Sequence, residues 1–205
     1  DDPTVICGLG YLAGQGIVIV GQQPDADESS KGFLYPEGFR KARRVMELAA
    51  KFGLPIITLI DTPGASPSLE AEERGLGNSI AMSMASMSQL PVPIISIVIG
   101  EGGSEAALAM GVADKILMQE NAIYSPITPE AAATLLYRDT ARAVETSTTL
   151  RLTALDCKDL GIIDQIISEP EGGAHSNPAE SAHLLQRILM RDLSTLTQLF
   201  AKQKP

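Results

Sequence analysis

Residues 98–111, VIGEGGSEAALAMG, set an apolar run, three glycines, a serine and an alanine-rich segment in that order. A strand end, a tight turn and a helix start in succession leave backbone N–H groups unpaired, and the helix dipole there favours an anion. If the charge develops only in a transition state, the same amides form an oxyanion hole. A second loop shares the design. Asp61-Thr62-Pro63 leads into Gly64 and Ala65, again after an apolar run. Glycines that merely let strand and helix pack closely would explain one such loop as well as anion binding does, and two in one sheet less well. Glu105 stands at the entrance to the first turn, a carboxylate where an anion would be held.

Other phosphate and nucleophile motifs do not fit. A Walker A loop needs Gly-Lys-Ser/Thr, and position 105 is Glu. The dinucleotide fingerprint G-x-G-x-x-G fails because Glu105 fills its third slot. The nucleophile elbow G-x-S-x-G is half present as Gly102-Gly103-Ser104-Glu105-Ala106. A serine hydrolase built on that half would need a histidine base. His175, in a GGAH loop, and His183, on the terminal helical segment, both read as structural. Two isolated histidines make no metal set. Cys7 and Cys157 lack C-x-x-C spacing, so neither a disulfide framework nor a zinc ribbon is encoded and a reducing compartment is the default. What remains is an anion held by backbone amides, for which the enolate of a thioester is the natural cargo.

The elements that must position these loops follow from patterning. Residues 5–12 and 16–22 read as β-branched strands joined at Ala13–Gly16, a hairpin signal. Residues 23–36 form a polar loop, acidic over 24–31 through Asp25, Asp27 and Glu28. Phe39, Ala42, Met46 and Ala49 recur at helical spacing and predict a helix over 37–52, stopped by Gly53, with Pro55 opening the next element. The apolar runs 56–60 and 93–99 read as strands buried on both faces. Each is followed by its loop (61–68, 100–104) and a helix (70–89, 105–112). Strands at 115–119 and 122–125, helices at 129–137, 139–148 and 152–160, a strand at 162–167 and an amphipathic helix at 178–198 complete the reading. Strand, turn and helix alternate, so the class is α/β with a largely parallel sheet, in one domain over 1–205.

Bulk properties narrow the partners. The 205 residues are 44% hydrophobic and 4% aromatic without Trp, which leaves few stacking platforms for single-stranded nucleic acid. A formal net charge of −9 argues against a nucleic-acid partner, and RKARR at 40–44 reads as a solvated helix face. No run reaches the ~20 apolar residues of a membrane span, so no membrane partner is expected. DDPTV reads as an internal or processed start rather than a targeting peptide.

Six stretches taken together, YPEGFRKARRVMELAAKFGLPIITLIDTPGA (35–65), AEERG (71–75), VPIISIVIGEGGS (92–104), ALAMGVADKILM (107–118), YSPITPE (124–130) and EPEGGAH (169–175), are specific. In these the chain resembles the α subunit, or α half, of the carboxyltransferase component of bacterial acetyl-CoA carboxylase. The resemblance implies a crotonase/ClpP-like spiral of ββα units. It implies carboxyl transfer from carboxybiotin to acetyl-CoA or another acyl-CoA, giving malonyl-CoA for fatty-acid or polyketide synthesis. It places the biotin-side oxyanion hole on the backbone amides of Gly102, Gly103, Ser104, Glu105 and Ala106, and substrate contacts at Gly64, Ala65, Tyr124 and Ser125. The biotin would ride on a carrier protein rather than be bound covalently here, and zinc would sit on a β-type partner only.

The implied partners are that β-type subunit, a biotin carboxyl carrier protein and a biotin carboxylase, in a cytoplasmic hetero-oligomer of α2β2 type. The family's α subunit usually has a helical N-terminal extension, which does not occur among these residues. The usual family pattern is G-E-G-G-S-G-G, where this sequence has Glu105 and Ala106 at the last two positions. Ser66-Pro67-Ser68 replaces the common Tyr-Pro-Gly. These departures keep two further readings open: a biotin-independent decarboxylase or hydrolase of a malonyl or acyl thioester, and a non-catalytic α-like scaffold.

Overall fold

The computed structural model describes residues 2–24 and 31–203, so the acidic positions Asp25, Asp27 and Glu28 lie outside the described residues. Strands β1 (Val5–Leu12) and β2 (Gln15–Gln22) form an antiparallel hairpin paired from Val5↔Gln22 to Leu12↔Gln15. Its two-residue turn uses left-handed backbone at Ala13 (φ 50°) and Gly14 (φ 84°), the geometry that matches strand twist. From β2 onward the sheet is parallel. β3 (Ile56–Thr62), β4 (Ile94–Gly103), β5 (Lys115–Gln119) and β7 (Gln165–Ile167) follow in spatial order, and β6 (Ile123–Ser125) pairs with the far end of β4.

The apolar runs behave as fully buried parallel strands. Ile56, Ile57 and Ile60 of β3 and Ile95, Ile97 and Val98 of β4 are at most 2% exposed, which requires cover on both faces. On one face α1 (Pro36–Phe52) packs on β1 and β2, α4 (Ser104–Gly111) packs on β3 and β4, and α3 (Leu76–Met87) lies against both helices. Phe39, Met46, Ile80 and Met110 thereby share one core with Ile56, Ile60 and Val98. The other face is covered by α8 (Pro178–Gln203), whose Leu189 and Leu193 pack on Ile57, Ile95 and Ile97. Burying each of these leucines contributes at most about 2–3 kcal/mol. An ion pair from Asp192 of α8 to Lys115 of β5 (2.8 Å) fixes the docking register.

Several boundaries differ from the sequence expectation for identifiable reasons. The 70–89 helix is two, α2 (Leu69–Glu73) and α3, because Gly75 takes φ 80° and ends the first. Residues 100–103 continue β4 instead of turning, because β6 supplies a pairing partner that local sequence does not reveal. Helix α5 (Pro129–Tyr137) is as expected, whereas 139–148 becomes a 3-10 turn (Thr140–Arg142) followed by α6 (Ala143–Leu150). The expected helix at 152–160 is α7 (Ala154–Asp159), capped by the Thr153 hydroxyl. The strand read at 162–167 shrinks to the three residues of β7.

Candidate active site

The two glycine loops meet. β3 and β4 run parallel in register from Ile56↔Ile94 to Ile60↔Val98, then slip, so that Thr62 faces Gly102. Asp61 fills the irregularity. Its carboxylate accepts from the Glu101 amide (2.9 Å), and its own amide donates to Gln22 Oε1 (2.9 Å). A Cβ on Gly100 would come within 2.5 Å of Asp61 Oδ1, so this position has room only for glycine. The slip carries Gly103 against the neighbouring loop, where a Cβ would lie 2.2 Å from the Pro63 carbonyl oxygen. Gly102 is equally crowded, with a Cβ reaching 2.6 Å from the Tyr124 ring. The glycines therefore do serve close packing. The packing is what brings the loops together.

The second loop is held from its far side. The Leu34 amide donates to Gly64 O (3.0 Å), and the Ser66 amide donates to Leu34 O (2.9 Å). The Gly64 amide donates to the buried Thr62 hydroxyl (3.1 Å). This leaves the Ala65 amide without an acceptor among the described residues.

At the β4–α4 junction Gly103 is the N-cap and offers no side chain to cap the helix. The amides of the first turn, Ser104, Glu105 and Ala106, have no intrahelical acceptor. Ser104 itself is left-handed (φ 55°), which costs an L-residue about 1–2 kcal/mol. Its hydroxyl donates to the Glu105 carboxylate.

Around this junction lies a cleft of about 300 Å³. Of the residues singled out from sequence, it is lined by Gly64, Ala65, Gly102, Gly103, Ser104, Glu105 and Ser125. Ala106 is fully buried beneath the turn and lines neither this cleft nor its neighbour. Tyr124 faces an adjoining, more apolar cavity of about 440 Å³ that shares Ser104, Glu105 and Ser125 and adds Leu108 and Ile162. The Ser125 hydroxyl donates to Ile127 O (2.6 Å), which orders the segment leading to α5. Burial, and then the Cys157 thiol, raises the Tyr124 phenol above its ordinary value.

Sequence reading missed the cleft's other wall. Phe33, Ile123, Thr128, Glu130 and Leu152 belong to it. The Thr128-Pro129-Glu130 helix start was a legible signal, since Thr128 caps the Ala131 amide (3.2 Å). Glu101 also lines the cleft, and burial together with the Asp61 carboxylate raises its acid above the usual range. Among the described residues the cleft thus carries three carboxylates, Glu101, Glu105 and Glu130, and no cationic side chain. His175 and His183 are exposed and lie outside it. No group of His, Cys, Asp and Glu suited to a metal occurs among the described residues.

A profile for acetyl co-enzyme A carboxylase carboxyltransferase-like proteins matches residues 1–204. The chain belongs to this family. A curated relative, the acetyl-coenzyme A carboxylase carboxyl transferase subunit alpha of Nostoc punctiforme, is 46% identical over 209 residues. That alignment covers 100% of this chain and 64% of the relative, so the chain spans under two thirds of the relative's length.

Among solved structures, a transcarboxylase 12S hexamer superposes with a TM-score of 0.79 at 21% identity, over 98% of this chain and 38% of that one. A Pseudomonas malonate decarboxylase hetero-tetramer in complex with coenzyme A gives 0.82 at 14% identity, over 96% and 81%. At such identities the likeness is one of fold. The carboxyltransferase family's crotonase-like architecture, expected from the quoted motifs, is the architecture found.

Proposed function

We propose that this chain is the α-type half of a carboxyltransferase that moves a carboxyl group from carboxybiotin to acetyl-CoA, giving malonyl-CoA. The observation that carries the reading is the meeting of two glycine loops at one cleft in a chain of this family. Negative charge that develops on a ligand oxygen there is met by amides already in place, at no reorganisation cost. The cleft volume of about 300 Å³ is at the small end of ligand pockets and suits a compact ring system. Carrier-borne biotin supplies the transferable carboxyl group when bound. The amides of Ser104 and Glu105, with Ala65 opposite, orient it and stabilise charge as the carboxyl group leaves.

The three carboxylates around the cleft disfavour the phosphates of coenzyme A. The thioester's nucleotide end is therefore assigned to a β-type partner, along with the zinc. In this proposal a biotin carboxyl carrier protein and a biotin carboxylase complete an α2β2-type assembly working in the cytoplasm. No helix among the described residues is long and apolar enough to cross a membrane.

The test is reconstitution. Malonyl-CoA and a biotin acceptor are supplied to the chain alone, to the β-type partner alone, and to both. Acetyl-CoA formation that needs both chains and the acceptor is expected, with the isolated chain inactive in transfer. Conversion of malonyl-CoA to acetyl-CoA and CO2 that ignores biotin would replace this reading with a decarboxylase. A chain that binds the partner without changing its turnover would be a scaffold.

A further inference from the structure

We propose that Ser104 and Glu105 form a nucleophile–base pair that hydrolyses short acyl esters and thioesters at the β4–α4 turn. This activity goes beyond carboxyl transfer and does not rest on it, because the bond-making is done by the Ser104 and Glu105 side chains, which transfer does not use, while the cleft amides serve either reaction.

Four observations converge. Ser104 sits at a sharp strand-to-helix junction with φ 55°, a conformation L-residues rarely adopt. That is the backbone geometry of a nucleophile elbow, which projects a serine hydroxyl beyond the end of a sheet. Its hydroxyl donates to the Glu105 carboxylate, so a proton acceptor is already engaged, where the sequence offered no histidine. The amide of the residue after the serine is in the uncapped first turn of α4, and the loop after β3 brings Ala65, whose amide has no acceptor among the described residues, to the same cleft. Elbow enzymes draw their oxyanion donors from these two places, the residue after the nucleophile and a neighbouring strand–helix loop. A Cβ on Gly64 would lie 3.8 Å from Ser104 Cβ, so the opposing loop is in van der Waals reach of the serine. Strained backbone at a cleft points to use of the strained residue.

The chemistry balances with water as the second substrate. Ser104 Oγ attacks the acyl carbon, its proton passes to the Glu105 carboxylate, and the C–S bond of a thioester breaks. The proton goes on to the departing thiolate. Water then attacks the acyl-serine while Glu105 accepts its proton. The C–Oγ bond breaks, and the proton returns to Oγ. The products are a carboxylic acid and a thiol. The cleft of about 300 Å³ at Ser104 has room for a short acyl group.

The experiment uses the full chain, alone and with its β-type partner. Three probes are used: p-nitrophenyl acetate, acetyl-CoA, and an alkyl fluorophosphonate that phosphonylates activated serines with loss of fluoride. Turnover above the buffer rate, and a phosphonyl adduct on the peptide containing Ser104, are expected. Ser104→Gly should lower turnover by about 100-fold or more and abolish the adduct. Glycine adopts φ 55° freely, so loss of the serine cannot be attributed to misfolding. Glu105→Gln should lower both turnover and labelling rate by about 100-fold. Absence of turnover and adduct in the unmodified chain, or an unchanged rate in either variant, overturns the proposal. Carboxyl transfer by the unmodified pair is assayed separately. Its absence bears on the carboxyltransferase reading, and absence of hydrolysis bears on this one.

Discussion

Gly103→Ala isolates the contact on which the site depends. The backbone at Gly103 (φ −89°, ψ 121°) is extended and open to any residue, so alanine brings no conformational strain. The whole effect is steric. The new Cβ would lie 2.2 Å from Pro63 O, 2.3 Å from Pro63 C and 2.7 Å from Thr62 O. Ordinary contacts start near 3.4 Å, so one strand end or the other must move by about 1 Å. The obstructing atoms are backbone, held by the Thr62 hydroxyl and the Leu34 bridge, and cannot swing aside as a flexible side chain would.

Overpacking of this kind costs about 1–3 kcal/mol. A 1 Å separation of the amides costs on the order of 100-fold in catalysis. Urea unfolding should show the midpoint lowered with the slope unchanged. Carboxyl transfer with the β-type partner should fall about 100-fold under conditions where the variant is still folded. Gly77→Ala is the control. A Cβ there meets nothing within 4 Å inside helix α3, and the variant should gain about 0.5–1 kcal/mol. If Gly103→Ala matched the unmodified chain in both stability and transfer, the loops would not be in contact and the site as described would be wrong.

Glu105→Gly keeps the amide donors and removes an exposed carboxylate. At 6–8 Å and an effective dielectric near 40, repulsion of a developing anion is about 1 kcal/mol, so transfer should rise roughly five-fold, and a collapse of transfer refutes the repulsion. Glu101 has a raised folded value through burial and Asp61, so its ionisation opposes folding as pH rises through that value. Glu101→Gln should then stabilise by a fraction of a kcal/mol at pH 7 and not below about pH 4, as read by urea midpoints at the two pH values. For Asp192, burial pushes the acid up, but hydrogen bonds from Arg191 and Lys115 outweigh it and hold the carboxyl below its ordinary value. Its contribution is present above the unfolded value near 4 and is lost as pH falls through the folded one. Asp192→Asn should therefore cost about 1–2 kcal/mol at pH 7 and little at pH 2–3, and an equal cost at both would refute the pairing.

Local chemistry in the chain was enough for the elements that needed no distant partner. The hairpin signal at Ala13–Gly16, found as the tighter turn Ala13-Gly14, the apolar runs of β3 and β4 and the Phe39–Ala49 stripe of α1 each state their structure through φ preference or periodicity. The glycine stretches were legible in part: the uncapped start of α4 after a buried strand is a local feature, whereas residues 100–103 continue β4 and α2 is capped by the Ser68 hydroxyl. What lay between the loops was not. That Gly103 abuts Pro63, that Asp61 fills a strand slip, and that β6 extends β4 through Gly103 depend on pairings between residues 20 to 40 positions apart. No window of sequence encodes such register.

The same holds for the side chains of the turn. Sequence placed a carboxylate beside a serine at positions 105 and 104, but their hydrogen bond depends on the left-handed backbone of Ser104. That backbone is imposed where β4, held on both sides, must turn at once into α4. Residue type was decided by the chain. Direction was decided by the packing around it.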